Sequence, residues 1–302
     1  MKTILEPSPL PLSREIRRIT PERERRQQEA LIWGWCLMVL PLTSLMVAVE
    51  SVIAWQDGRF LSALQIQGVL LCFVLACLVI ELRAATPAAA AVGGVICLDM
   101  TLVASPLSSR MSQTLLPALI TLFLLTFAAT HIGYARKLRL GLAEARHGRA
   151  VYQIIANLGG ASLLALGHQV IPVAEPACIA MLASATADTL ASELGPILPG
   201  RTVLLTSWRQ VPRGTDGGIS LGGTLFGIAG AAAIVTVGIR SLSLDLRSAE
   251  CAFVSAIAGF MADSLFGATL ERRGVIGNDM VNFLSTVVAG VTAIVVGTLM
   301  PL

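Results

Sequence analysis

Hydrophobic and polar positions fall along this chain in long blocks rather than in short periods. Largely apolar runs occupy residues 31–49, 61–80, 84–106 (broken by Asp99), 113–134, 151–171, 176–194 (broken by Asp188 and Glu193), 219–239, 251–270 (broken by Asp263) and 280–302. A membrane-crossing helix needs about 20 such residues, so the pattern predicts nine spans. The runs are rich in Leu and Ala and show no period-2 alternation, which argues against spanning strands. The expected fold is all-α: a polytopic transmembrane helix bundle.

The polar segments between the runs set an orientation. With the N-terminus in the cytoplasm, segments 1–30, 81–83, 135–150, 195–218 and 271–279 are inside and hold 18 Lys and Arg residues. The outside loops hold 4: Arg59, Arg110, Arg240 and Arg247. That asymmetry is what the positive-inside rule requires. Residues 1–30 read as a polar cytoplasmic arm, partly helical and lying at the membrane surface; the stretch is too long and too mixed in charge to be a signal-peptide n-region. The chain divides near residue 135 into a four-helix membrane region (31–135) and a five-helix catalytic region (136–302) carrying the cytoplasmic loop 195–218. A weak internal echo links Ala187-Asp188-Thr189-Leu190 to Ala262-Asp263-Ser264-Leu265.

Composition narrows the class. The chain is 55% hydrophobic and 14% charged, against about 25% charged in a soluble domain. An ordinary cytosolic enzyme, a disordered chain and a disulfide scaffold are excluded, and a net charge of +3 gives no reason to expect a nucleic-acid partner. Cys36, Cys72, Cys77, Cys97, Cys178 and Cys251 form no CxxC pair and read as small core residues. His131, His147 and His168 fall in different segments, so zinc is not expected.

Polar residues of the second half converge on the cytoplasmic ends of its helices. Gln153 and Asn157 stand four apart; Ser184, Asp188 and Ser192 follow at i+4 steps. The loop carries Arg201, Arg209 and Arg213 into Gly214-Thr215-Asp216-Gly217-Gly218, after which Ser220, Gly223 and Thr224 open the seventh run. Asp263 and Ser264 end the eighth, and Asn278, Asp279 and Asn282 start the ninth. Intramembrane carboxylates are costly and mark binding sites. Asp188, Asp263 and Asp279, with Asn278 and Asn282, offer hard oxygen ligands for Mg²⁺, which binds one or two carboxylates plus substrate phosphates. A glycine-rich turn feeding a helix start is a phosphate cradle, although it also suits a tight turn with small-residue helix packing. Arg209 and Arg213 read either as phosphate clamps or as positive-inside anchors. Asp99 sits mid-run without polar company and reads as a structural partner, while Glu50, Glu193 and Glu271 read as solvated helix-end charges. Together the parts are those of a phosphoryl- or nucleotidyl-transfer site, and the absence of GxxxxGK[ST] excludes a P-loop.

Several strings resemble a known family. They are Gln153 to Asn157 with Gly159, Ala185 through Gly195, Val211 through Ser220, Asp263 through Thr269, and Asn278-Asp279 through Asn282 to Thr286. They are similar, in order, to the transmembrane protein nineteen family, which includes the plant phytyl-phosphate kinase of the tocopherol pathway. The resemblance covers roughly 146–300, and residues 1–145 add hydropathy alone. It implies an integral membrane prenyl-phosphate kinase that converts a phytyl- or geranylgeranyl-like monophosphate to the diphosphate, with CTP or another nucleoside triphosphate as donor. More loosely, Asp188, Ala191 and Gly195 with Gly223-Thr224 resemble the dolichol kinase, phytol kinase and phosphatidate cytidylyltransferase group. Arg209 stands where Lys is common, which suits a clamp rather than a base.

The expected enzyme is thus a membrane phosphotransferase with its site at the cytoplasmic face of a prokaryotic cell membrane, and a homo-oligomer is compatible with it. Asp188, Asp263 and Asp279 with Asn278 and Asn282 would hold Mg²⁺, Gly214, Thr215, Asp216, Gly217, Gly218, Ser220, Gly223 and Thr224 would meet the nucleotide phosphates, and Gln153, Asn157 and Ser192 would face the acceptor. Arg209 and Arg213 would neutralise the transition state. The rivals are a CTP-dependent lipid cytidylyltransferase and a small-molecule or lipid transporter. A one-sided polar cluster and a parallel Asp188/Asp263 echo disfavour the transporter, whose groups belong near the midplane on inverted repeats.

Overall fold

The computed structural model describes residues 19–56, 63–103, 110–143 and 148–299. The first eighteen residues of the polar arm, together with Arg59 and His147, lie outside them. In chain order the helices are α1 (Pro21–Gln56), α2 (Ala63–Glu81), α3 (Pro87–Leu102), α4 (Leu116–His131), α5 (Tyr134–Arg139), α6 (Val151–Ile154) and α7 (Gly160–Leu166). A π-helical turn, Ile155–Gly159, joins α6 to α7 as one rod. Then follow α8 (Ala174–Leu194), α9 (Leu221–Leu242), α10 (Leu246–Phe266), a second π-helical turn at Gly267–Glu271, and α11 (Asn278–Leu299). The described part of each of the nine apolar runs lies on this framework. The described helices long and apolar enough to cross a membrane are α1, α9, α10 with its π turn, and α11, accompanied by shorter apolar helices.

Helix starts follow the local sequence. Thr86 accepts a hydrogen bond from Ala89 N at the head of α3, with Pro87 in the first turn. Ser220 does the same for α9 and Asp245 for α10. At the centre stands α8, with 16 of its 21 residues buried. Its Ala-rich surface admits α9 closely: a Cβ at Gly223 or Gly227 would stand 3.0 Å from the Ala191 or Ala187 carbonyl oxygen. Close backbone approach of this kind drives helix association where the surrounding solvent is itself apolar. On the far side, Val69, Leu70, Phe73 and Val74 of α2 are exposed, the arrangement expected of a lipid-facing surface.

Two sequence expectations are refined. Residues 21–30 of the polar arm are the first turns of the continuous helix α1. Their polar side chains dock on the α10–α11 turn: Gln27 Nε2 donates to Val275 O at 3.1 Å, and its Oε1 accepts from Gly277 N at 2.9 Å. The bundle is also not purely α-helical. Segment 195–220 contains a small antiparallel sheet in the order β2-β1-β3, built from β1 (Thr202–Leu204), β2 (Gln210–Val211) and β3 (Gly218–Ser220). Thr202 pairs with both Val211 and Ser220. Strands of two or three residues are too short to leave an alternation in sequence.

Candidate functional site

The antiparallel run of helices places the end of α8, the start of α9, the end of α10, the start of α11 and the start of α6 at one end of the bundle. They enclose a cavity of about 340 Å³. Asp188, Ser192, Asp263, Asn278, Asp279, Asn282, Gln153, Asn157, Ser220, Gly223 and Thr224 all line it, as do Gly214, Thr215, Asp216, Gly217 and Gly218 from the loop over its mouth. Both π-helical turns border it, supplying Asn157 from one and Gly267 and Glu271 from the other. Such turns, in which one residue is squeezed into a helix, cluster at functional sites.

At the floor, the carboxylates of Asp188 on α8 and Asp263 on α10 approach within hydrogen-bonding reach of each other. Oδ1 of Asp263 is buried and has no hydrogen-bond partner among the described residues. Two juxtaposed carboxylates with an unsatisfied oxygen, in a cavity with Asn282 and Asn278 on its wall, fit the coordination habits of Mg²⁺. Asp279 is placed differently: its Oδ2 accepts from Gln28 Nε2 of α1 at 2.8 Å. Among the described residues no group of three His, Cys, Asp or Glu side chains is arranged to share one ion. Of the three expected aspartates, Asp188 and Asp263 thus stand together, while Asp279 lines the same cavity but is tied to α1.

The cationic groups are also not those expected. Arg209 is exposed in the β1–β2 connection and does not line the cavity. Arg213 donates to Pro196 O at 2.9 Å and to Gly200 O at 3.3 Å, so it braces the loop and does not line the cavity either. The cations on the wall are Lys137 and Arg149. Lys137 is buried; its Nζ donates to Ala129 O at 2.6 Å, to Thr130 O at 3.1 Å and to the Glu193 carboxylate. Arg149 stands close enough to Asp188 to attract it electrostatically. By sequence both are topology charges in segment 135–150, at the join of the two halves. Glu193 and Glu271, read as solvated, both line the cavity.

Several expected ligand groups have local work. Gly218 N donates to Thr215 O at 2.8 Å, Thr215 Oγ1 to Pro212 O at 2.8 Å, and Gly223 N to Ser220 Oγ at 3.1 Å. Gln153 Oε1 accepts from Ala150 N at 2.8 Å, while Asn157 Nδ2 donates to Gln153 O at 2.9 Å. Gly217 is required by contact as well as by conformation: its φ is +69°, and a Cβ there would stand 2.1 Å from Ala268 N in the second π turn. The loop is thereby seated directly on the helix end that carries Asp263.

The geometry can be set beside known proteins. The profile of the integral membrane protein family DUF92 matches residues 70–290. The chain belongs to the DUF92 family of integral membrane proteins. This is the family to which the motif resemblance pointed, and the match begins within α2, so it takes in much of the first half as well. An uncharacterized membrane protein of Methanocaldococcus jannaschii is 39% identical over 118 residues, 39% of this chain and 49% of that one. An uncharacterized membrane protein of Synechocystis is 33% identical over 57% of this chain and 69% of its own length. The chloroplastic protein VTE6 of Arabidopsis thaliana is 28% identical over 57% of this chain and 55% of its own. The match thus spans about half the length of the archaeal and plant relatives. No solved structure matches.

Proposed function

We propose that the protein is a membrane-embedded prenyl-phosphate kinase, transferring a phosphoryl group from CTP or another nucleoside triphosphate to a prenyl monophosphate. The observation that carries this reading is the pair Asp188 and Asp263, one oxygen of which is unsatisfied, on the floor of a polar cavity roofed by the glycine-rich loop. The distant relation to VTE6 and the motif resemblance agree with it. In the proposed step an oxygen of the acceptor phosphate attacks the γ-phosphorus of the donor. The bond from that phosphorus to the β–γ bridging oxygen breaks, leaving a prenyl diphosphate and a nucleoside diphosphate. The attacking phosphate is already ionised, so no strong general base is needed. Asp188 and Asp263 would hold Mg²⁺, which would neutralise phosphate charge when bound. Arg149 would orient the acceptor phosphate, and loop Gly214–Gly218 would close over the donor and keep water out. We place this site at the cytoplasmic face of a nine-span bundle, on the charge asymmetry of the loops.

Transfer is tested with the purified protein, Mg²⁺, geranylgeranyl or phytyl monophosphate, and CTP labelled separately at the α and γ positions. Lipid-borne label from γ is expected. Label from α would instead identify a cytidylyltransferase, and no transfer from any nucleotide would overturn both.

A further inference from the structure

A second cavity, of about 520 Å³, lies between α2, α3 and α4 and runs to the start of α6. Its size falls within the range of about 300–1,000 Å³ typical of ligand pockets. It exists because α3 presents a face of very small residues toward it: Ala89, Ala90, Gly93 and Gly94 recur at i, i+4 spacing. A Cβ built at Gly93 or Gly94 would meet no atom within 4 Å, so these glycines face open space rather than a packed neighbour. The opposite walls are aliphatic and aromatic, from Leu75 on α2 to Phe123 on α4.

The cavity is apolar along its length but cationic at one end, where Arg83 and Arg149 line it. Arg149 also lines the polar cavity, and a small void between Leu122, Asn157 and Thr189 touches it from a third side. This shared residue is held firmly. Arg149 N donates to Ala84 O at 2.9 Å and its carbonyl accepts from Thr86 N at 3.1 Å, in a bridge to the α2–α3 turn. Gly148 before it has φ +76°, and a Cβ there would stand 2.8 Å from both Ala85 N and Arg83 O. The turn that ends the apolar groove is thus the turn that fixes the arginine of the polar site.

We propose that this groove holds the hydrocarbon tail of the anionic acceptor lipid, with its phosphate meeting Arg149 where the two cavities join. The occupant follows from charge complementarity and continuity: an amphiphile with a long apolar chain and one anionic head matches an apolar groove ending on an arginine whose backbone is pinned to the α2–α3 turn. The identity of the acceptor as a prenyl phosphate rests on the function proposed above; the groove and its junction do not.

The test measures binding to the purified full chain of geranylgeranyl monophosphate, dimethylallyl monophosphate and the uncharged alcohol geranylgeraniol. Gly93→Leu fills the groove, and Gly94→Leu is the second plug should the first fail to fold. Gly34→Leu is the control, because Gly34 on α1 also has open space around it and lies outside the groove. The plug is expected to weaken the long-chain phosphate about tenfold, the loss expected when about two methylenes forfeit burial, and to move the short chain far less. Arg149→Gln is expected to weaken both phosphates about tenfold or more while sparing the alcohol. Equal losses for both chain lengths, or none, overturn the groove. Alcohol binding as tight as the phosphate, with Arg149→Gln silent, makes it a bed for ordinary bilayer lipid and overturns the junction. Length-dependent binding without phosphoryl transfer from any nucleotide leaves the groove standing and removes the kinase reading.

Discussion

Two carboxylate sites are set into this bundle, and they are built in opposite ways. Asp99 on α3 is fully buried; Thr43 of α1 donates to its Oδ1 at 2.6 Å and Ser162 of α7 donates to its Oδ2. Each of its oxygens is answered by a hydroxyl from another helix. Asp188 and Asp263 instead face one another in a cavity, with Oδ1 of Asp263 lacking a hydrogen-bond partner among the described residues. Burying a polar group without a hydrogen bond costs stability, so such an arrangement persists where something else satisfies it. Satisfaction, rather than burial or charge, separates Asp99, which ties helices together, from Asp188 and Asp263, which line a cavity.

The largest expected effect falls on a group that belongs to the first class although it lines the cavity. Lys137 and Glu193 have side chains only 3% and 10% exposed. Lys137→Ala leaves Glu193 buried and unpaired and removes the donor to two carbonyls at the end of α4, a change worth about 3–5 kcal/mol. Unfolding in detergent should show that loss, and Lys137→Met combined with Glu193→Gln should recover much of it. A single variant with wild-type stability would place Lys137 among the ligand groups instead.

Next comes the reverse pattern. Asp188→Asn or Asp263→Asn should lower the transfer rate by about two to three orders of magnitude, with a smaller effect on unfolding, because Asp263 takes a hydrogen bond from Ser285 but its Oδ1 has no partner among the described residues. Retention of more than about a tenth of the rate, equal to about 1.4 kcal/mol of transition-state stabilisation, would sink the metal assignment. Asp99→Ala should do the opposite. Its loss leaves two hydroxyls without an acceptor and should cost about 1–3 kcal/mol of stability, with the transfer rate per folded molecule preserved. If both sites lost rate and stability together, the two would not differ in role.

Much of this was legible in the sequence, and the part that was not has a common cause. Apolar block length located the helices, since a spanning helix writes some twenty consecutive residues. Intramembrane acids and a glycine-rich turn located the cavity, because neither is tolerated without a role. What sequence could not give was which side chain finishes its hydrogen bonds at home. Arg213 reads as a clamp until Pro196 O and Gly200 O are seen to occupy it. Lys137 and Arg149 read as topology charges until α5 and the α2–α3 turn carry them to the cavity wall. Both π turns, the short sheet and the groove along α3 arise from tertiary packing, which leaves no period to read.

The smallest effect concerns Ser220, where the two classes meet in one residue. Its hydroxyl caps α9 by accepting from Gly223 N at 3.1 Å, yet it also lines the cavity. As a cap, Ser220→Ala should cost about 1 kcal/mol of stability, while Ser220→Asp, an equally good cap, should keep it. As a donor to nucleotide phosphate the ranking differs: alanine would only lose a hydrogen bond, whereas aspartate would set a negative charge against the phosphates. Measuring the unfolding midpoint together with the nucleotide KM of both variants separates the roles. A stable Ser220→Asp protein with a raised KM places the hydroxyl at the donor phosphates. A stable one with an unchanged KM leaves it a helix cap alone, and moves the nucleotide toward the loop Gly214–Gly218.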